Sequence, residues 1–220
     1  MHAHNKEVSR CAGATARELV ERYIYLGYDG VVSTNHMNSH TFDGKKFASF
    51  SWEDKVNHFL SGYKLLTEEA NGRLTVLLGM EITFIGDPND YLVYGVTEDF
   101  LKNNGDLMAL SNKEFSLLAH KNGLLFVQAH PFRRDMRIVD WNILDGYEIL
   151  NGNPRHDSSN SVTEQWARLH GKSIVTSGSD FHELGDEGTG GIYFSVPVKS
   201  NFDLVNVLKN GSCRLKNVKR

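Results

Sequence analysis

Leu124-Leu125-Phe126-Val127-Gln128-Ala129-His130-Pro131 decides how the rest of the chain is read. A short run of large apolar and β-branched side chains without polar alternation is the pattern of a strand covered on both faces, as in a parallel sheet flanked by helices. It ends on His130, so a side chain able to bind a metal or move a proton stands just past the strand's C-terminal end. Upstream, Ser111 to Glu114 is a capping-box pattern opening a helix through Phe115, Leu118 and Ala119, and Gly123 supplies its stop. Helix, stop, buried strand and reactive terminus form one unit, and similar units recur in both directions along the chain.

Toward the N-terminus, Thr15-Ala16-Arg17-Glu18 caps a helix through Leu19, Val20, Tyr23 and Ile24 that stops at Gly27. Ser51-Trp52-Glu53-Asp54 opens a longer one through Val56, Phe59, Leu60, Tyr63 and Leu66, ending near Gly72. Further helices are expected over Val162 to Leu169 and Phe202 to Leu208. Strands are expected at Val31-Val32, Leu74 to Leu78, Leu92 to Val96, Leu124 to Val127, Tyr147 to Leu150, Ile174 to Thr176 and Ile192 to Val196. Strand and helix mostly alternate, which implies βα units in a single domain spanning 1–220. Seven or eight such strands favour a barrel, regular or distorted, with an open doubly wound sheet as the alternative. The glycine-rich and charged stretch Gly178 to Gly191 reads as a loop.

The residues just past each apolar run carry the strongest functional signal. Val31 to Thr34 leads into Asn35-His36, Leu77 to Met80 into Glu81, and Phe126 to Ala129 into His130. Glu148 comes directly after Tyr147 inside its strand, which Asn151 closes, and Ile174 to Gly178 leads into Asp180-Phe181-His182. Active sites of barrels and open α/β sheets are assembled at that edge from several loops. His2-Ala3-His4 adds an H-x-H, which on an extended segment points both imidazoles to one side. Each piece alone has an ordinary reading as a cap, a turn or a packed imidazole; their coincidence at one edge does not. Histidine nitrogen mixed with carboxylate oxygen suits Zn, Mn or Fe. Two or three such ions can bridge a phosphate and generate hydroxide at neutral pH.

The remaining histidines carry the opposite weight. His120 and His170 sit in the last turns of helices, where positive charge suits the helix dipole. His58 lies in mid-helix and His156 in a polar loop, and all four read as structural or solvated. His40 lies beyond the strand end that carries His36 and is a minor candidate for substrate or metal.

With 40% hydrophobic and 10% aromatic residues, the 220-residue chain can bury one sizeable core. A formal net charge of -3 argues against binding a nucleic-acid duplex, which calls for a basic stripe, but leaves a small anionic substrate open. Cys11 and Cys213 make neither a disulfide framework nor a thiolate zinc site, so a reducing compartment is expected. No apolar run is long enough to span a membrane and no signal-peptide layout is present, so the expected location is cytoplasmic. His2 directly follows Met1 with little room for a preceding strand, the layout expected of a shortened chain.

His2-Ala3-His4, Thr34-Asn35-His36, Gly79-Met80-Glu81, Ala129-His130-Pro131 and Ser179-Asp180-Phe181-His182 resemble, in order, the motifs of the PHP family, named for polymerase and histidinol phosphatase. The resemblance spans almost the whole chain. It implies a distorted (β/α)7 barrel holding up to three metal ions and hydrolysing phosphate esters. Carried over by position, it makes His2, His4, His36, Glu81, His130, Asp180 and His182 metal ligands. Arg133 matches a position where related phosphatases hold the substrate phosphate, a task suited to a guanidinium fork. With His182, it is the residue assigned to catalysis.

Three departures from the family pattern stand out. Where many members carry an acidic or histidine ligand shortly after the first motif, Asn5-Lys6-Glu7-Val8-Ser9-Arg10 offers Glu7 as the replacement. The aspartate of the second motif is Asn35, which removes a general base there. A histidine on the strand after Gly-x-Glu is missing, with Asp90 at the strand entrance as the substitute, so two ions are a firmer expectation than three.

The resulting expectation is hydrolysis of a small phosphorylated substrate, a phosphomonoester, by metal-activated hydroxide, with Arg133 orienting the phosphate. The alternatives are nucleotide phosphodiester or bisphosphate hydrolysis and a metal-binding module without catalysis. A carbon-nitrogen hydrolase would call for a lysine at a strand end, and no expected strand ends in one. Specificity is expected in loops 42–50, 135–141 and 155–160.

Overall fold

Nine consecutive residues, Thr75–Thr83, form the longest strand, and the other elements are placed by what pairs with it. The computed structural model describes residues 1–172 and 174–216. In chain order the elements are α1 (Ala16–Tyr25), β1 (Gly30–Ser33), β2 (His36–Met37), α2 (Trp52–Ala70), β3 (Thr75–Thr83), β4 (Asp90–Tyr94) and α3 (Glu98–Asn103). There follow α4 (Asn112–Lys121), β5 (Leu125–Gln128), β6 (Gly146–Asn151), α5 (Asn160–Leu169), β7 (Ile174–Gly178), β8 (Ile192–Phe194), α6 (Asn201–Lys209) and β9 (Cys213–Leu215). The capping boxes expected at Thr15, Ser51 and Ser111 all form, each side-chain oxygen accepting from the backbone N–H three residues on. The short helix α3, capped by Thr97, was not expected, because six residues are too few to show a helical period.

The main sheet has the order β1-β3-β4-β5-β6-β7, with β2 also on β3. Gly30 pairs with Thr75 and His36 with Glu81, so β1 and β2 lie on β3 in one unbroken register. All these pairings are parallel except those of β4, which is antiparallel to both β3 and β5. The expected distorted (β/α)7 barrel is therefore met only in part: the chain is α/β, but its sheet is curled, mixed in direction and forms part of a barrel. The reversal of β4 has a simple cause. Residues 84–89, with Gly86 and Pro88, are too few to carry a crossover, which takes a dozen or more residues, so the chain turns back as a hairpin.

The sheet's edges, β1 and β7, are linked at one rim by the first residues of the chain. Ala3 forms a parallel bridge with Phe181, and its carbonyl accepts from the Thr34 N–H at 3.0 Å. The Thr34 hydroxyl accepts in turn from the Ala3 N–H at 2.9 Å, and the His4 N–H donates to the Phe181 carbonyl at 2.9 Å.

A second correction concerns Ile192 to Val196. This run does not join the main sheet; β8 pairs antiparallel with β9 in a separate two-stranded ribbon. Tyr193 is half exposed, and Pro197 cannot donate to a ladder, which limits the strand's length. Among the described residues no helix is long and apolar enough to cross a membrane.

Both faces of the sheet are covered, as the unbroken apolar runs require. On the outer face Met80, Ile82, Tyr91, Val93 and Phe126 pack with Phe59 of α2 and Phe115 of α4. On the inner face Leu77, Leu92, Tyr94, Leu125, Val127 and Ala129 pack with Leu204 and Leu208 of α6. Period-two alternation puts Glu81 on the same face as Leu77, so the inner face changes from apolar to ligand-bearing toward the rim.

Phe126 is fully buried, with its ring centroid 4.7 Å from Tyr91 and 5.1 Å from Phe115. Phe126→Ala is expected to cost about 3–5 kcal/mol, read as a lowered midpoint in urea denaturation with an unchanged slope.

Candidate metal centre

The rim where the parallel strands end also receives the start of β4, because that strand is reversed. Five of its strands contribute a group. His36 comes from β2, Glu81 from β3, Asp90 from the first residue of β4, His130 from just past β5, and Asp180 and His182 from just past β7. The bridging segment adds His2 and His4. Among the described residues three sets of ligand atoms are each close enough to hold one ion: His4, His36 and His182; His2, Glu81 and His130; and His2, His4 and Asp180.

Glu81 is the centre of this arrangement. It lies inside β3 rather than after it, fully buried. Oε1 stands 3.2 Å from His2 Nε2 and 3.2 Å from His130 Nε2. Oε2 stands 3.2 Å from His4 Nε2 and 3.0 Å from His36 Nδ1. Asp180 plays a similar part, with Oδ1 at 3.2 Å from His2 Nε2 and 3.5 Å from His4 Nε2. Ligand atoms about 2.1 Å from a common ion are separated by about 3.0–3.4 Å in octahedral or tetrahedral geometry, the spacing seen here.

Among the described residues the buried atoms His2 Nε2, His4 Nε2, His36 Nδ1 and Glu81 Oε2 find no hydrogen-bond partner. Leaving such atoms unsatisfied in a protein interior is costly, and a cation bound among them removes the cost. The donor set is nitrogen and carboxylate oxygen, which fits Zn, Mn or Fe. Two of the five non-glycine residues with positive φ among the described residues also lie here, His130 at 26° and Asp180 at 50°.

Electrostatics divides the imidazoles into two kinds. Burial opposes charge on His2, but Glu81, Asp180 and Glu148 outweigh it and raise its pKa well above the ordinary value. Burial likewise opposes charge on His4, and Asp180 and Glu81 raise its pKa. Burial prevails at His36, holding it down to about 3, and at His182, where burial and the neighbouring His4 hold it to about 4. Glu81 and Asp180 lie well below the carboxylate range, the histidines overcoming the effect of burial. Burial and the charge of Glu81 push Asp90 up to about 6. Its Oδ2 stands 3.9 Å from His130 Nε2, so the substitute named from sequence does reach the cluster.

A pocket of about 190 Å³ opens onto these groups, lined by Cys11, His36, Glu81, Asp90, His130, Arg133, Arg155, His156, Asp180 and His182. Arg133 donates from Nη2 to Asp180 Oδ2 at 2.7 Å and to Asn151 Oδ1 at 3.0 Å. Arg155 pairs with the buried Asp186 at 2.8 Å, and Asp186 also accepts from the His182 N–H at 3.0 Å. Burial pushes the Cys11 thiol up to about 11.

Glu7 stands apart and needs correction. Its carboxylate accepts from the Asn5 side chain at 2.7 Å and from the Ala16 N–H at 3.2 Å, so it caps the start of α1 instead of joining the cluster. Asn35, in place of an acid, is a clamp: its Oδ1 accepts from the Asn5 N–H at 2.9 Å and from Ser9 Oγ at 3.0 Å. His156, read as structural or solvated, lines the pocket. His58 packs on Phe47, His120 meets Asp145 at 3.2 Å, and His170 lies between Trp141 and Trp166. His40 is exposed and outside the cluster. Sequence reasoning places Arg155 in a specificity loop and Glu148 among the residues at the strand ends, but gives neither a specific role. A carboxylate amid apolar neighbours in Tyr147-Glu148-Ile149-Leu150 was the signal for the latter, since a buried charge needs partners.

No family model matches the chain, and no curated protein matches it in sequence. Solved structures do. A protein from Bifidobacterium adolescentis, named as a candidate metal-dependent phosphoesterase, superposes with a TM-score of 0.54 at 18% identity, covering 96% of this chain and 95% of that one. A two-domain protein from Bacteroides vulgatus containing a predicted PHP-like metal-dependent phosphoesterase gives a TM-score of 0.67 at 16% identity, covering 98% of this chain and 63% of that one. An amidohydrolase from Chromobacterium violaceum, with bound sulfate and no metal, gives 0.60 at 14% identity, covering 94% and 95% of the two chains. The chain has the fold of the PHP-like metal-dependent phosphoesterases.

A metal ion entering this cluster competes with protons at His2 and His4, whose pKa values are raised, but not at His36 or His182, which are already neutral at pH 7. A raised folded-state pKa contributes stability that is fully present below the unfolded value of 6.5 and lost as pH rises through the folded value. Metal binding should therefore tighten, and the metal-induced rise in Tm grow, as pH increases from 6 to 8. Calorimetry with Zn2+ in buffers of differing ionisation enthalpy should show net proton release at pH 7; no release would mean that His2 and His4 are neutral before the metal arrives.

Proposed function

We propose that this chain is a metal-dependent phosphoesterase that hydrolyses small phosphomonoesters. His2, His4, His36, Glu81, His130, Asp180 and His182 hold two or three divalent ions, Zn, Mn or Fe, and Arg133 holds the substrate phosphate. The observation that carries the reading is Glu81, whose two oxygens each face two imidazoles at the floor of a pocket walled by Arg133. Divalent ions bound there supply positive charge to offset that building on the phosphoryl oxygens and lower the pKa of a coordinated water.

The chain's own residues supply the rest. Arg133 presents a planar fork suited to two phosphate oxygens, and its contacts with Asp180, Asn151 and Ser158 hold it in place before substrate arrives. His182 lies 2.9 Å through Nδ1 from the Asp180 carbonyl. Donation of Nδ1–H to that carbonyl leaves Nε2 with its lone pair, able to ligate or to accept a proton. Burial and neighbouring His4 keep this imidazole neutral at pH 7. The pocket volume, about 190 Å³, suits a phosphoryl group and a small alcohol better than a nucleic acid. Sulfate, which the Chromobacterium violaceum protein binds, is a tetrahedral dianion of phosphate shape, and that supports the same class of ligand.

The test is turnover of a panel of phosphomonoesters and matched diesters by protein loaded with Mn2+, Zn2+ or Fe2+. Monoester hydrolysis is expected with at least one ion, Asp180→Asn should abolish it, and Arg133→Ala should lower kcat/KM roughly 10–100-fold, mainly through KM. Turnover of diesters alone would replace the monoester reading. Metal uptake without any turnover would make the chain a binding module.

A further inference from the structure

Glu148 lies within β6, its side chain on the inner face opposite to that of Tyr147, and it is 1% exposed. Its carboxylate receives three hydrogen bonds. His2 Nδ1 lies 2.9 Å from Oε1, the His130 backbone N–H donates to Oε2 at 3.2 Å, and the Asn151 side-chain amide donates to Oε2 at 2.9 Å. Among the described residues no lysine or arginine pairs with it. The carboxylate thus serves an imidazole and the strained backbone at His130, and it meets neither solvent nor a surface cation.

The contact with His2 has a chemical consequence. Glu148 accepts only, so the bond requires the proton on His2 Nδ1 and leaves Nε2 as the free face of the ring. Nε2 is the atom that stands 3.2 Å from both Glu81 Oε1 and Asp180 Oδ1. With Nδ1 protonated, the lone pair of the neutral ring points at two carboxylate oxygens, an arrangement that repels unless a proton or a metal ion lies between them. The same carboxylate reaches the other sides of the cluster. Its bond to the His130 N–H holds a residue at φ 26°, and Asn151, bound to Oε2, donates from the same amide to Asp180 Oδ2 at 3.2 Å.

The sheet makes room for this carboxylate. At Gly178 on β7 an added Cβ would come within 2.3 Å of the His2 Cβ and 3.0 Å of Glu148 Oε1. Any larger residue there would push His2 and its partner apart.

Resting on the metal-centre reading above, we propose that Glu148 is a positioning residue that fixes the tautomer and orientation of His2 and the turn at His130, so that both rings meet one ion without Glu148 touching it. A carboxylate behind a ligating imidazole raises the ring's basicity and fixes its rotation, and its loss costs about 10–100-fold in metal affinity. In Glu148→Gln one side of the carboxylate becomes an amide N–H2, which then faces a donor, either His2 Nδ1–H or the His130 N–H.

The experiment measures Zn2+ affinity by competition with a chromophoric chelator for wild type, Glu148→Gln and Glu148→Asp, with imidazole 1H–15N correlation spectra of the zinc-loaded proteins and Tm of the metal-free ones. Glu148→Gln is expected to bind Zn2+ about 10–100-fold more weakly, with the downfield His2 Nδ1–H resonance shifted or lost and the metal-free Tm lowered by the buried donor left facing a donor. Affinity within twofold of wild type and an unmoved His2 resonance would overturn the proposal. Should Glu148→Gln fail to fold, Glu148→Asp decides: its shorter carboxylate cannot reach His2 and His130 together, so a tenfold loss supports positioning and wild-type affinity overturns it. Failure of wild type itself to bind Zn2+, Mn2+ or Fe2+ would instead sink the metal-centre reading, which sets the two failures apart.

Discussion

The rim is organised around one buried carboxylate. Glu81 sits within the longest strand, near its C-terminal end, with a strand paired on each side, so its position is set by ladder hydrogen bonds and not by a loop. Four imidazoles close around its two oxygens from the N-terminal segment, β2 and the turn after β5. Burying such a group is unfavourable unless positive charge compensates it. In the protein without a metal the raised pKa of His2 and His4 supplies protons for this purpose. The cluster is thus a place where protons and divalent ions compete for the same buried negative charge.

Fold and site depend on each other through residues 2–4. This segment joins the β1 and β7 sides of an otherwise open sheet through Thr34 and Phe181, and it carries His2 and His4. Asn5, Ser9 and Asn35 continue the connection, with Ser9 Oγ accepting from the His36 N–H at 3.0 Å. Displacing the segment would open the sheet edge and remove two imidazoles together. Glu148 and Asn151 of β6 act from the opposite wall, tying His2, His130 and Asp180 to a second strand. The ligands are therefore held by backbone ladders and buried polar contacts, which is the rigidity that a site acting by positioning requires.

Much of this was readable from residue types. Capping boxes at Thr15, Ser51 and Ser111 gave helix starts because a local side chain satisfies a local N–H, and no distant residue is needed. The run before His130 showed a buried strand with a reactive end. Other features depended on connections whose effect is not local. Unbroken apolar strands look alike whether parallel or reversed, so β4 was read as another parallel strand, although Gly86 and Pro88 in the short link argued for a turn. The run at Ile192 had strand chemistry, but its partner was the distant Cys213–Leu215. Glu7 had the right chemistry near the first motif, yet the chain turns it toward the N–H of Ala16.

What the sequence determined by itself is the kind of chemistry available: which side chains can bind a metal, that they stand at the ends of buried strands, and that the donors mix nitrogen with oxygen. These are properties of residue type and of nearest neighbours along the chain. Tertiary structure decided which of them converge. It placed Asp90 at the rim by reversing β4, removed Glu7 to a helix start, and brought His156 and Arg155 to the pocket wall. It also set Glu148 behind His2, where a carboxylate 146 positions away fixes the ring. Pairing across the sheet acts between residues far apart in sequence, and a difference in strand direction or a turn of the backbone changes which of them meet. For that reason the ligand types were legible before folding was considered, and their division between the metal centre, the helix caps and the pocket wall was not.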